Sequence, residues 1–259
     1  MQTEPRQNPL LALVRKEGRV IAAHHSLLRA GGVSSRDYVQ DAAFLFFDGV
    51  ENVGRGRHSS TAAAWVNLTG GPNAVGVYSC NASWTADSLS FTETGNYRAD
   101  LSSVTWPSGG ITFEVVFRQN QYGTWAGRII QTRDDNYKRI DVCARAADSN
   151  TFGKQIVYAV ATPYDVALSK ANPPIAQTFA IVGSTTSSGF SFRYAGQTET
   201  KSTSNALSQK PPDFTIGGNY NNTRNFLGEV CAVRVHSRAL TEAEIDFNAA
   251  LDRKRFGVT

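Results

Sequence analysis

From Ala43 onward the chain repeats one small pattern. Short runs rich in Val, Ile, Phe, Thr or Tyr, such as "AFLFFDGV", "GGITFEVVFRQN", "GRIIQTR", "KRIDVCARA", "KQIVYAVA", "QTFAIVGS" and "GFSFRYAGQTET", are each closed by Gly, Pro, Asn, Asp or Ser. β-branched and aromatic side chains suit a pleated, half-buried surface. The bounding residues supply turn geometry. Many short strands and one convincing helix predict an all-β fold, a sandwich or barrel of antiparallel sheets. Hydrophobic residues make up 41% and charged residues 19%, enough apolar material for a real core.

The one helix closes the pattern. In "GEVCAVRVHSRALTEAEIDFNAALDRKRF", Val230, Ala232, Val233 and Val235 surround Arg234 and His236, as in a strand with one wetter face. "TEAE" is a capping box: Thr241 accepts from the Glu244 backbone N–H, and the Glu244 side chain returns to the Thr241 N–H. Leu240 and Ile245 are spaced as a hydrophobic staple, Glu242 and Glu244 suit the positive end of the helix dipole, and Arg253, Lys254 and Arg255 its negative end. A capping helix of about four turns is expected after the last strand.

Residues 1–42 differ in composition. "NPLLALVRKEGRVIAAHHSLLRAGGVSS" is rich in Leu, Ala and Arg and ends at Gly31-Gly32. The expected division is an N-terminal arm over 1–42, which docks on a larger assembly or packs on the domain, and a β domain over 43–259. The apolar run Leu10–Val14 is broken by Arg15-Lys16-Glu17, so no signal-peptide layout is present. No stretch reaches the roughly 18 apolar residues of a spanning helix, and no membrane insertion is expected. The charge of +4 is spread over short groups, without the concentrated basic face that nucleic acid requires. Cys80, Cys143 and Cys231 form no CxxC, which gives zinc no support. Three buried thiols are expected rather than a disulfide.

The closing stretch "FTIGGNYNNTRNFLGEVCAVRVHSRALTEAEIDFN" resembles the end of the laminin G-like, concanavalin A-like domains of bacteria and phages. The resemblance rests on Ile216, Gly217, Gly218, Phe226, Gly228, Val230, Val233, Arg234, the Arg238-Ala239-Leu240-Thr241 corner and Ile245. Upstream it includes Leu89, Phe91, Tyr97, Leu101 and the alternating Ile111, Phe113, Val115 and Phe117. It implies a two-sheet antiparallel jelly roll with a short C-terminal helix over roughly 43–256. It implies less about function, because this fold hosts lectins, adhesins, glycosidases and structural modules.

Catalytic patterns are weak. Glycoside hydrolysis needs two carboxylates across a cleft. The resemblance would place them on a strand as Glu-x-Asp-x-x-Glu, yet the nearest match begins at Glu244, on the helix, and lacks the last acid. Glu114 reads as a lone, solvent-facing strand residue. His24, His25, His58 and His236 have no suggestive neighbours, and no Gly-x-Ser-x-Gly or His-Glu-x-x-His occurs. Asp134, Asp135 and Asn136 read as a hairpin turn rather than a calcium site. No cofactor or metal is expected.

Recognition by loops is left. "GGNYNNTRN" offers Asn219, Tyr220, Asn221, Asn222 and Arg224, and "QNQYGTWAGR" offers Tyr122 and Trp125: aromatic faces for a sugar ring and amides for its hydroxyls. The expectation is a non-enzymatic, lectin-like module. Its setting would be a phage tail or capsid surface, assembled in the cytoplasm and exposed outside the cell, where it contacts host-surface glycans. Residues 1–42 would engage other virion proteins, and the chain can form a homo-oligomer. The rival readings are a structural or decoration protein of the virion without a glycan ligand, and a divergent glycoside hydrolase.

Overall fold

The computed structural model describes residues 32–259 apart from 93, 122–126, 134–138, 145–154, 161–165, 172–174, 187, 195–196, 203–209, 220 and 223; for 133, 139, 155–160 and 166–171 it describes the backbone. Two antiparallel sheets face each other. The first contains β1 (Ala43–Asp48), β4 (Ala82–Trp84), β5 (Leu89–Phe91), β7 (Gly110–Gln119), β12 (Thr178–Thr186), β13 (Gly189–Tyr194), β14 (Gln197–Ser202) and β16 (Gly228–His236). Its order is β14-β13-β12-β7-β16-β5-β4, with β1 also paired to β16. The second contains β2 (Ala64–Trp65), β3 (Ala74–Val77), β6 (Asn96–Asp100), β8 (Gly127–Arg133), β9 (Arg139–Ala144), β10 (Gln155–Val160), β11 (Val166–Ala171) and β15 (Asp213–Ile216), in the order β11-β10-β9-β8-β15-β6-β3-β2.

Alternation decides what lies between the sheets. Phe113, Val115 and Phe117 of β7 and Val233 and Val235 of β16 point inward against Phe214 and Ile216 of β15 and Ile130 and Val142 of the second sheet. Phe113 and Phe214 stack across the gap at 6.2 Å. Strand segments follow the sequence pattern closely, with two exceptions. β4 is only three residues long, and β11 carries the weakly patterned "VALSKA".

The helix α1 spans Glu242–Phe256 and has the expected box: the Thr241 amide donates to Glu244 Oε2 at 2.8 Å, and the Glu244 amide donates to Thr241 Oγ1 at 3.3 Å. Leu240 and Ile245 are buried together with Val39 and Val182. Gly257 ends the helix with φ +67°, the left-handed cap that glycine adopts without a Cβ penalty. No helix among the described residues is long and apolar enough to cross a membrane.

α1 lies on the outer face of the first sheet, and this corrects two expectations. The face of β16 that carries Arg234 and His236 is not the wetter one, and Glu114 does not face solvent. Arg234, His236 and Glu114 are 1%, 0% and 2% exposed. Arg234 Nε donates to Glu114 Oε2 at 3.0 Å, and its two terminal nitrogens donate to both Asp252 oxygens at 2.9 and 2.5 Å. Asn248 of α1 donates to Glu114, and His236 Nε2 lies 3.3 Å from Glu114 Oε2. Polar residues alternate here as on an open strand, but the helix brings their partners onto that face.

Residues 33–42 join the same seam. Tyr38 and Val39 are buried, the Val39 amide donates to Asn248 Oδ1 at 3.0 Å, and the Ser35 hydroxyl donates to Glu51 Oε2 at 2.5 Å. Arg255 reaches back to Asp48 at 2.9 Å, Glu51 at 3.1 Å and the Val33 carbonyl. The remainder of the expected arm lies outside the described residues.

Candidate recognition surface at one end of the sandwich

β15 leads into the first loop expected from the sequence. Gly217 has φ +81°, and a Cβ there would stand 2.3 Å from the Phe91 ring, so both backbone and space demand glycine. Its amide donates to the Ile129 carbonyl and its carbonyl accepts from Phe226, both at 2.9 Å. Asn219 is buried and braces the loop. Its Oδ1 accepts from the Arg224 amide at 3.0 Å, its Nδ2 donates to Asn221 Oδ1 at 2.6 Å, and its carbonyl accepts from Asn96 Nδ2 at 2.9 Å. Asn222 takes φ +58°, a left-handed conformation asparagine tolerates, and its Oδ1 accepts from the Gly95 amide at 2.7 Å. Asn219 and Asn222 therefore shape the loop, while Asn221 is exposed and Arg224 half-buried. Tyr220, Tyr122 and Trp125 lie outside the described residues.

The flanks of the second expected loop meet the first. The Asn120 and Gln121 amides donate to the Leu227 carbonyl at 3.1 and 3.2 Å, and the Arg128 amide donates to the Arg224 carbonyl at 3.1 Å. Two further loops, not singled out by the sequence, share this end. The Asn81 amide donates to the Thr94 carbonyl at 2.9 Å, and a Cβ on Gly95 would fall 2.2 Å from the Cys80 Cα. Between β3 and β4, Tyr78 and Ser79 have φ of +57° and +49°, an uncommon conformation for two successive non-glycine residues. Tyr78 is 48% exposed, with the Arg98 guanidinium 5.3 Å from its ring centroid and Arg98 Nη2 donating to its hydroxyl at 3.2 Å. The run "YSCN" is a turn signal, but nothing in it marks an aromatic held outward.

Beside Tyr78 runs the outward face of the second sheet. Strand register aligns Val75, Arg98, Thr215, Gln131 and Asp141 across β3, β6, β15, β8 and β9. The row is open at Val75, 45% exposed, and closed at Asp141, where Gln131 Nε2 donates to Asp141 Oδ1 at 2.6 Å and Arg128 Nε lies 3.3 Å from Asp141 Oδ2. Two register pairs further along, on the same face, Asp100 stands opposite Asp213. Burial, with a smaller push from Asp100, raises the Asp213 carboxyl against the opposing pull of Arg98, 3.3 Å away. The Ser102 amide, donating to Asp100 at 2.7 Å, holds that carboxyl low.

Other polar clusters offer less. Glu114 and Asp252 are sealed beneath α1. Cys80 is half-buried, and burial pushes its thiol up to about 11, away from a reactive thiolate. Cys143 and Cys231 are buried, and none of the three forms a disulfide. No three His, Cys, Asp or Glu among the described residues are arranged to hold a metal. A shallow groove of about 390 Å³ on the first sheet is lined by Ser184, Thr186, Ser191, Thr200 and Ser202.

The family description that matches residues 92–246 is the concanavalin A-like lectin/glucanases superfamily, with a laminin G-type model. A comparison with curated proteins finds no match. Among solved structures, the sialidase of Trypanosoma rangeli in complex with sialic acid superposes with a TM-score of 0.60 at 13% identity, over 82% of this chain and 33% of that one. The chain thus spans about a third of the sialidase's length. Domain 4 of the extracellular arabinanase AbnA from Geobacillus stearothermophilus, in complex with arabinotriose, superposes with a TM-score of 0.54 at 10% identity, over 79% of this chain and 97% of that domain. At these identities the likeness is one of fold.

Proposed function

The chain belongs to the concanavalin A-like lectin/glucanases superfamily, and on that premise we propose that it is a non-catalytic carbohydrate-recognition module whose ligand meets the loop end of the sandwich. The observation that carries the reading is Tyr78, an aromatic ring held outward beside Arg98 and next to a set of braced loops. An aromatic face suits the C–H side of a sugar ring. Asn221 and Arg224 supply polar groups for its hydroxyls, and Asn120, Gln121 and Arg128, which flank the second loop, border the same end. Arabinotriose in the arabinanase domain supports this class of ligand for the fold. The proposed setting is adhesion of a phage particle to host-surface glycans, on the resemblance to phage structural domains and the polar loop end.

The test is a glycan array read with the intact chain and with Tyr78→Ala and Arg224→Ala. The reading expects binding to a restricted set of glycans and a loss of signal in both variants. An array on which the chain binds nothing would favour a purely structural role.

A second reading, a divergent glycosidase, is favoured by one observation. Asp100 and Asp213 are opposed across neighbouring strands, with one carboxyl held low and the other raised, an arrangement that can separate acid and base roles. Against it, Asp213 is paired to Arg98 and Asp100 caps a turn. Release of reducing sugar from a polysaccharide panel, abolished by Asp213→Asn, would establish that reading instead.

A further inference from the structure

We propose that Arg36, Arg57 and Lys254 form a docking surface for an acidic segment of a partner protein. These cations are distant along the chain, but the fold brings them to one buried carboxylate. Glu51 accepts from the Ser35 amide at 3.1 Å and the Ser35 hydroxyl at 2.5 Å, from the Gly56 amide, and from Arg255 Nη2 at 3.1 Å. Each of these anchors has an exposed cation as its immediate neighbour: Arg36 beside Ser35, Arg57 beside Gly56 and Lys254 beside Arg255.

The helix supplies its cation on the matching side. Lys254 shares a face of α1 with Leu251 and Phe247, and those two pack with Val33 and Tyr38. It therefore stands where residues 33–38 meet the helix. Arg55, half-buried beneath, donates to the Ser35 hydroxyl at 3.1 Å, to Gln40 at 2.8 Å and to the Leu68 carbonyl at 3.2 Å. Burial lowers the Arg55 guanidinium value, Glu51 opposes this, and the like charge of Arg36 adds to the lowering, so Arg36 acts across the same cluster.

What sets the three exposed cations apart is the lack of an acid. Arg98, Arg118, Arg193, Arg234 and Arg238 each meet a carboxylate. Among the described residues Arg36, Arg57 and Lys254 meet none, and the Arg57 guanidinium donates to the Val53 carbonyl at 2.8 Å. Their backbone neighbours are pinned to Glu51, so like charges are gathered at fixed places, and carboxylates from outside relieve the repulsion between them. Guanidinium forks match carboxylates with two parallel hydrogen bonds. Sugars and bases favour an aromatic platform. The large apolar side chains exposed among the described residues are Val75, Tyr78 and Ile175, and none belongs to these segments. Aspartate and glutamate side chains need no such platform, which favours a protein as the occupant.

Poly-L-glutamate is the probe, titrated into the intact chain. Binding is expected at about 50 mM salt and should weaken several-fold by about 200 mM, because exposed charges are screened. Arg36→Glu, Arg57→Glu and Lys254→Glu should each raise Kd about threefold, and the triple variant about tenfold or more. Lys210→Glu is the control: this exposed cation donates to the Ser102 carbonyl and does not adjoin Glu51, and its loss should leave Kd within about twofold. Circular dichroism checks that each variant is folded. The triple variant should in turn bind poly-L-lysine, which the parent does not, a reversal that a folding defect cannot produce. A parent chain that leaves polyglutamate unbound up to about 1 mM, or binding that survives the triple reversal, would overturn the proposal. Capture of oligothymidylate or polygalacturonate without capture of polyglutamate would assign the surface to nucleic acid or to an acidic glycan and overturn it equally.

Discussion

Arg234 sits between two carboxylates with the Tyr38 ring 4.3 Å from its guanidinium carbon. Burial opposes ionisation of Glu114, but the charge of Arg234 and the contact from His236 outweigh it and hold that carboxyl low; for Asp252 burial prevails and the carboxyl is raised. Removing one partner from such a pair leaves an uncompensated buried charge. Glu114→Ala is therefore expected to lower stability by about 3–5 kcal/mol, measured by urea unfolding, with Glu114→Gln costing less because it keeps shape and an acceptor. Tyr78 is the opposite case. Its left-handed backbone stores strain of about 1–3 kcal/mol that glycine would relieve. Tyr78→Gly should keep or raise the melting temperature while weakening glycan binding by about 1–3 kcal/mol, as for other aromatic anchors; a lower melting temperature with binding intact would make the ring a packing residue. Neither role was legible locally. Glu114 alternates as an exposed strand residue does, and only the distant helix determines that it is covered.

At the scale of elements, α1 was legible because capping chemistry is local: Thr241, Glu244, Leu240 and Ile245 lie within six positions and bond as their spacing requires. β4 and β11 were not, since three residues give no period and "VALSKA" fits strand or helix. Thr241→Ala should cost about 0.5–2 kcal/mol in thermal or chemical unfolding. Glu244 adds a pH dependence. Burial works against its charge, but hydrogen bonds from Arg238 and the Thr241 amide outweigh it and bring the carboxyl from 4.5 to about 2. A folded-state value below the unfolded one gives stability that is present above 4.5 and lost as the pH falls toward about 2. The melting-temperature gap between the parent and Glu244→Gln should accordingly be largest near neutral pH and close on acidification through that window. A gap independent of pH would show that the Glu244 charge contributes nothing to the cap.

At the scale of the molecule, the two faces of the sandwich are used differently. Over β1, β16, β7 and part of β12 the outer face of the first sheet is covered by α1 and residues 33–42, whereas the second sheet carries a row open at Val75, beside the exposed Tyr78. The sandwich itself was legible from strand spacing and turn residues. Of the site, the sequence marked two of the four loops. Asn219 and Asn222 could be seen as polar loop residues but not as its internal braces, because their partners at Asn96 and Gly95 come from a distant strand and turn. The most direct measurement is an amide chemical-shift map of the labelled chain titrated with a glycan selected on the array. The account predicts that the largest shifts fall within 77–81, 94–98 and 217–227, with α1 and β14 nearly silent. Shifts concentrated on the groove of the first sheet, with the loop end unmoved, would contradict it.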